Sequence, residues 1–244
     1  MTFHPATALL LFPAMVVLLE AGRWLRSQRG DLENNSAIEG AVFGLFGLLL
    51  AFTFSGAVGR FDAHRTLAVQ EANAIGTAYL RLDLLPVNTQ PEMRQLFRDY
   101  TSSRLHLYDS VGEEVSPESA RLQAEIWQKA VAGASQAGVN LDVEKLLLPA
   151  INDMIDITAT RQNSFHMHPP AIVFLLLFAF SGGCAFMAGY GNKLRQRDWV
   201  YTLALAATVT LTIYATLEIE YPRQGLIRLQ NLDESLLQVR AGMK

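Results

Sequence analysis

Four stretches of this chain carry no Asp, Glu, Lys or Arg over the length that a helix needs to cross a bilayer. They are Met1–Leu19, Gly40–Gly59, the segment between Arg161 and Lys193 with its apolar heart from Ala171 to Tyr190, and Trp199–Leu217. A helix rises about 1.5 Å per residue and the hydrocarbon core is about 30 Å thick, so roughly 20 apolar residues span it. Buried helices of a soluble bundle keep charge on one face, and these four do not. The expected spans are residues 6–25, 40–59, 170–191 and 199–217. The first lacks the basic leader and the small-residue cleavage site of a signal peptide. It is therefore read as a retained anchor, with Pro13 as a kink.

Composition narrows the function classes. Half the chain is hydrophobic and 18% is charged, against about 25% charged in an ordinary soluble domain. The 20 basic and 23 acidic residues leave a net charge of −3, whereas a nucleic-acid reader carries a basic excess. A single cysteine closes no internal disulfide and builds no multi-cysteine metal site. Cys184 lies inside the third run, where packing is its expected role. No phosphate-binding loop, nucleophile elbow, His-Glu-x-x-His or dinucleotide fingerprint is present. Nothing requires catalysis, a cofactor or a metal. The pair His166 and His168 has no firm third ligand for zinc.

The spans divide the chain into a first membrane hairpin, 1–59, a polar insert, 60–168, a second hairpin, 169–220, and a C-terminal tail, 221–244. The insert carries ten basic and fourteen acidic residues. Its patterning is helical, so the expected class is all-α. No proline interrupts Gly59–Leu85, so the second span should leave the membrane as one helix from Gly40 to Leu85. A capping box of Thr89 and Glu92 should open the next helix. Ser116-Pro117-Glu118 should open a third, ended by Gly138, and a fourth should run over Leu141–Asn163, bent at Pro149. Basic residues of short loops favour the cytoplasm. Arg23, Arg26 and Arg29 fill one short loop and Lys193, Arg195 and Arg197 the other, which places the insert on the non-cytoplasmic side. Arg60, Arg65, Arg161, Arg223 and Arg228 reduce the margin. Trp24 and Trp199 fall where an interfacial aromatic belt belongs.

The run Ala51–Ala57, then Arg60-Phe-Asp-Ala-His-Arg65, Glu71-Ala-Asn-Ala-Ile-Gly-Thr-Ala-Tyr-Leu-Arg81 and Leu84-Leu-Pro86 resembles the bacterial bestrophin-like domain family of membrane proteins. Leu148–Asp156 with Arg161, and Tyr221-Pro-Arg-Gln-Gly225, extend the likeness over most of the chain. Gln70 departs from the pattern, which has a second Glu there. The resemblance implies kinship to bestrophins, which are pentameric anion channels. The Pro-containing apolar neck and acidic calcium clasp of bestrophins are not evident here. The likeness therefore favours an oligomeric four-helix protein of the bacterial inner membrane more than it favours a chloride channel.

Three sets of residues are candidates for function. Gly40, Gly44, Gly47, Ala51, Ser55 and Gly59 recur at helical spacing as a stripe of small residues, which lets backbones approach in lipid. The stripe fits a seam within one subunit, the lining of a central pore, or an oligomer contact. Asp62, His64, Glu71, Asn73, Asn152, Asp153, Asp156 and Arg161 lie on the two stem helices adjoining the membrane. They form either a structural polar network or a ligand site. Glu39, Glu218 and Glu220 lie at membrane edges. Glu39 with Ser36 has capping-box spacing, and Arg223 could pair with Glu218 or Glu220. In an assembly, a carboxylate ring would select cations, and a ring of Arg60 and Arg65 would select anions. The row Thr208, Thr212 and Thr216 can return its hydroxyls to the backbone or line a polar cavity.

The leading expectation is a non-enzymatic, homo-oligomeric channel or pore protein whose partners are the lipid bilayer and small ions, with no nucleic acid. The alternative is a structural or sensory membrane module whose insert binds a partner or ligand.

Overall fold

The computed structural model describes residues 4–29, 36–109, 116–136, 141–165, 167–191, 198–221 and 232–244. Among them all regular structure is helical: α1 Leu11–Arg29, α2 Ser36–Leu80, α3 Gln90–Asp109, α4 Pro117–Ala134, α5 Leu141–Phe165, α6 Ala171–Gly191, α7 Trp199–Glu220 and α8 Leu232–Gly242. Four helical stretches are long and apolar enough to cross a membrane: Pro5–Gln28, Ser36–Leu84, Ala171–Gly191 and Trp199–Glu220.

The second of these is the expected long helix. α2 has 45 residues, about 68 Å at 1.5 Å per residue, and a short 3₁₀ turn over Arg81–Leu84 ends it. Pro13 lies in the first turn of α1, after a 3₁₀ turn over Pro5–Leu10, where its missing N–H breaks no helical bond. Pro149 lies inside α5. Ser116 caps α4 as expected, its hydroxyl accepting from the Ser119 N–H at 3.0 Å. The Thr89–Glu92 capping box does not form. The Thr89 hydroxyl donates to the Pro86 carbonyl at 2.8 Å, and Glu92 accepts from Lys129 at 2.6 Å. Gly138 lies outside the described residues.

The chain folds into two compact units. The first comprises Met1–Phe61 and His168–Arg228, and the second Asp62–Met167 and Leu229–Lys244. In the first, Met15, Leu19, Phe174, Leu177, Ala185, Ala206, Ile213 and Leu217 form one apolar core. α1 packs against α6 and α7, so a span's packing partner is not its neighbour in sequence. The α1–α6 seam is close enough that a methyl group added at Gly189 would overlap the Leu19 carbonyl, and one at Gly22 the Phe186 carbonyl. At its end, Arg26 donates to the Tyr190 carbonyl at 3.2 Å and lies 5.7 Å from the Tyr190 ring centroid. Trp24 and Trp199 are exposed.

In the second unit, Ile75, Tyr79 and Leu82 meet Met93, Phe97 and Tyr100 of α3, Leu122 and Ile126 of α4, and Leu147, Ile151 and Met154 of α5. The C-terminal segment belongs to this same core. Leu236 and Met243 are buried in it, and the Lys244 carbonyl accepts from Tyr79 Oη at 2.6 Å and from Arg98 Nη1 at 2.7 Å. An insert after span two and a tail after span four share one side of a membrane only if two crossings separate them. The packing of α8 therefore fits an even number of later spans.

The α1–α6 seam generates a prediction. Gly189→Ala should destabilise the protein by about 1–3 kcal/mol, toward the upper end because the obstructing atoms are backbone. Gly183→Ala, where a methyl group meets nothing within 4 Å, should be neutral or stabilising. Thermal midpoints of the detergent-solubilised variants check both.

Candidate functional site

The small-residue stripe lies on an open side of α2. Gly40, Gly44, Gly47, Ala51, Ser55 and Gly59 are all exposed, and a methyl group at Gly40, Gly44, Gly47 or Gly59 would meet no atom within 4 Å. Among the described residues the stripe is thus not a seam within the chain. The buried positions of α2 are Phe46, Thr53, Ala57, His64, Ala68, Glu71, Ala72, Ile75, Ala78 and Tyr79. At about 100° per residue, Arg60 points about 180° from Ala51. The anchored face and the small-residue stripe are opposite sides of one helix.

In the second unit the polar stem cluster resolves into a smaller set than the sequence suggests. Glu71 is fully buried. Its Oε1 accepts from Arg104 Nε at 2.6 Å and its Oε2 from Arg161 Nη1 at 2.5 Å. Burial pushes the Glu71 carboxyl up, and the Arg104 and Arg161 guanidiniums overcome that push and hold it below its ordinary value. Tyr100, buried beside them, shares a hydrogen bond with the Thr158 hydroxyl at 2.9 Å and accepts one from Gln123 at 3.0 Å. Burial first, and then the Glu71 charge, raise its phenol above the ordinary value. His64 is buried against Phe165, rings stacked at 4.5 Å, with Nδ1 3.1 Å from the Ser164 hydroxyl.

The other predicted members stay outside. Asp62, Asn73, Asn152, Asp153 and Asp156 are exposed. Asn152 donates to Asp156 one turn on at 2.8 Å, and Asp62 lies 3.9 Å from the exposed Arg65. Asp153 and Asp156 line a shallow groove of about 330 Å³ with Gln70, Ala74, Ile157 and Thr160. Sequence reasoning chose members by closeness to the membrane and missed Arg104, Tyr100, Gln123 and Thr158. The signal was register: Met93, Phe97, Tyr100 and Arg104 follow one apolar stripe of α3, and Ile151, Met154, Thr158 and Arg161 follow one of α5. A charge on each stripe calls for a buried partner.

At the membrane edge of the first unit, Glu218 and Glu220 are both buried and do not simply mark a water interface. Tyr214 Oη donates to Glu218 Oε1. Glu220 pairs with Arg60, which donates from Nε and Nη2 to the two carboxylate oxygens. Arg223, the partner considered from sequence, lies outside the described residues. Because Arg60 and Glu220 neutralise each other, neither supplies a ring of single sign at this level. Glu39 stands in the first turn of α2, where a carboxylate complements the helix dipole. His168 is engaged by Glu220 at 3.0 Å, and His166 lies outside the described residues. Thr212 and Thr216 return their hydroxyls to the carbonyls four residues back, each at 2.8 Å.

The Glu71 cluster should behave as a buried ionic lock. Glu71→Gln leaves two guanidiniums without their carboxylate and should cost about 3–5 kcal/mol, while Asp156→Ala should change stability by less than about 0.5 kcal/mol. Because the Glu71 carboxyl is held low, its contribution is present above the ordinary carboxyl value of 4.5 and is lost as the pH falls through the depressed one. Thermal midpoints from pH 6 down to about pH 3 should fall steeply in the native protein and less in Glu71→Gln.

Comparison with known proteins gives a family and a fold. No match is found among curated proteins. The chain is similar to a bacterial bestrophin homolog from Klebsiella pneumoniae, solved as several single-substitution variants. One is 14% identical, with a TM-score of 0.69 and 97% of each chain covered. A second is 14% identical, with a TM-score of 0.70 and 99% of each chain covered. A third is 16% identical, with a TM-score of 0.66 and 98% of this chain and 97% of the other covered. At these identities the likeness shows the fold, which for this chain is the all-helical bestrophin fold with four apolar candidate spans. The Bestrophin-like domain model matches residues 8–232, and the chain belongs to that family.

Proposed function

We propose that the chain is one subunit of a homo-oligomeric channel of the bacterial inner membrane, with copies of α2 around a central path for small ions. The observation that carries this reading is the open small-residue face of α2. In α2's apolar window 17% of residues are buried within the subunit, against 33% in each of the other three spans. Small residues allow another backbone to approach or leave a lumen open. The family supports the reading, since bestrophins are pentameric channels. In this reading consecutive spans are joined in two hairpins by short basic loops, with the insert on the non-cytoplasmic side as the loop charges favour.

Purified protein in liposomes should pass ions, and Ser55→Phe or Gly47→Phe should lower the flux about tenfold or more by closing the path with a dry constriction. Wild-type flux in both variants would refute the pore assignment, and a monomeric detergent particle would refute the central path. A reporter fused after Lys244, in the same compact unit as the insert, reads which side that unit occupies.

A second reading rests on the groove beside Asp153 and Asp156: a non-conducting sensory module whose insert binds a ligand. Liposomes that pass no ions, together with a ligand whose binding is lost in Asp153→Ala, would favour it.

A further inference from the structure

Within the first unit α1 and α6 finish side by side. A methyl group at Gly22 would overlap the Phe186 carbonyl and one at Gly189 the Leu19 carbonyl, so the last turns of the two helices hold each other at backbone distance. A short connection separates Gly191 from Trp199, so α7 begins at this same end. Two arginines three residues apart, and so neighbours on the surface of α1, stand there. Arg26 Nη1 donates to the Tyr190 carbonyl at 3.2 Å, and the guanidinium lies 5.7 Å from the Tyr190 ring centroid. Arg23 Nη1 donates to Glu20 at 2.9 Å, and the Arg23 side chain keeps 14% of its surface open.

Arg23 Nη2 is buried and has no hydrogen-bond partner among the described residues. A buried charged donor without an acceptor is costly, and an anionic oxygen arriving at this end would satisfy it. The acids described there are already engaged. Glu20 holds Arg23, and Asp198 caps α7 by accepting from the Tyr201 N–H at 3.0 Å. Glu39 stands in the first turn of α2, where the helix dipole engages it. Around the arginines Trp24, Trp199 and Tyr201 are 63%, 47% and 50% exposed. Tryptophan and tyrosine rings settle at headgroup level, which sets the two guanidiniums at the depth of lipid phosphates.

We propose that this end of the first unit is a seat for anionic phospholipid headgroups, with Arg23 and Arg26 donating to the lipid phosphodiester. A guanidinium is a planar fork of donors that matches phosphate oxygens. The contacts to Glu20 and Tyr190 hold both forks in place, so little side-chain freedom remains to be lost on binding. The occupant is a lipid rather than a free anion because the exposed rings offer apolar surface to its glycerol and upper chains while the arginines take its charge. The seat rests on the four spans lying in a membrane, and it stands whether or not the protein conducts.

In a neutral detergent, the full-length protein should melt about 3–6 °C higher with added phosphatidylglycerol than with phosphatidylcholine of the same acyl chains. That is the shift expected with lipid at about ten times its dissociation constant. Arg23→Gln and Arg26→Gln should each raise the phosphatidylglycerol concentration needed about fivefold, the loss of one cation at a lipid surface. Arg65→Gln, which removes an exposed arginine of the second unit, should leave the response in place. The advantage of phosphatidylglycerol should shrink as salt rises to about 1 M. Equal melting in the two lipids overturns the proposal on the native protein alone, so the answer stands even where an arginine variant does not fold. A full response in both Arg23→Gln and Arg26→Gln, or its equal loss in Arg65→Gln, overturns the assignment to this end. Sodium phosphate at the same anion concentration should not reproduce the shift. If it does, the arginines take a free anion and the lipid seat is refuted.

Discussion

In hydrocarbon a backbone N–H or C=O has no water to bond, so a spanning segment must satisfy those groups within itself. That requirement makes each apolar run of this chain a helix, and in α2 it has a further effect. The helix continues past Arg60 without a loop, so the backbone passes from lipid to water still fully bonded. Any loop at the boundary would have to be paired there residue by residue. A single helix of 45 residues avoids that cost.

The apolar effect cannot by itself set the rotation of α2 inside the membrane. Lipid is as apolar as leucine, so burial against other helices gains little there, and α2 buries few residues of its apolar window. Charges can set it. A buried ion pair contributes little net stability over an apolar replacement of the same shape, yet breaking it by removing one partner is costly. Its use is to specify which helices meet and in which rotation. Glu71 selects Arg104 of α3 and Arg161 of α5. Arg60 selects Glu220 of α7.

How much of this could be read in the sequence depended on the distance over which each feature acts. The spans were legible because the absence of charge is a local property. So were the long α2 and the Ser116 cap. The Thr89 box failed because two competing partners, the Pro86 carbonyl and Lys129, took its groups. The α1–α6 seam was not legible. Gly22 and Gly189 are ordinary glycines until the fold brings each against the other helix's backbone. Glu71, His64 and Arg161 were found as members of the stem cluster, while five exposed neighbours were included beside them. Polarity near a membrane says that a residue is tolerated there. Only its register on an apolar stripe says that it is buried, and Arg104 met that test on α3.

The same register argument links the Arg60–Glu220 pair to the open stripe. Arg60 points about 180° from Ala51 round α2. Fixing the Arg60 face fixes its opposite, and the opposite face is Gly40, Gly44, Gly47 and Ala51, with Ser55 and Gly59 drifting round the helix by less than a third of a turn. Had the anchor been a residue later, the stripe would turn by about 100° and bulky Leu48 or Phe52, both exposed here, would take its place. The Arg60 contact therefore does more than join two helices: its register is the one that leaves small side chains, rather than large ones, on the side of α2 away from the chain's own core.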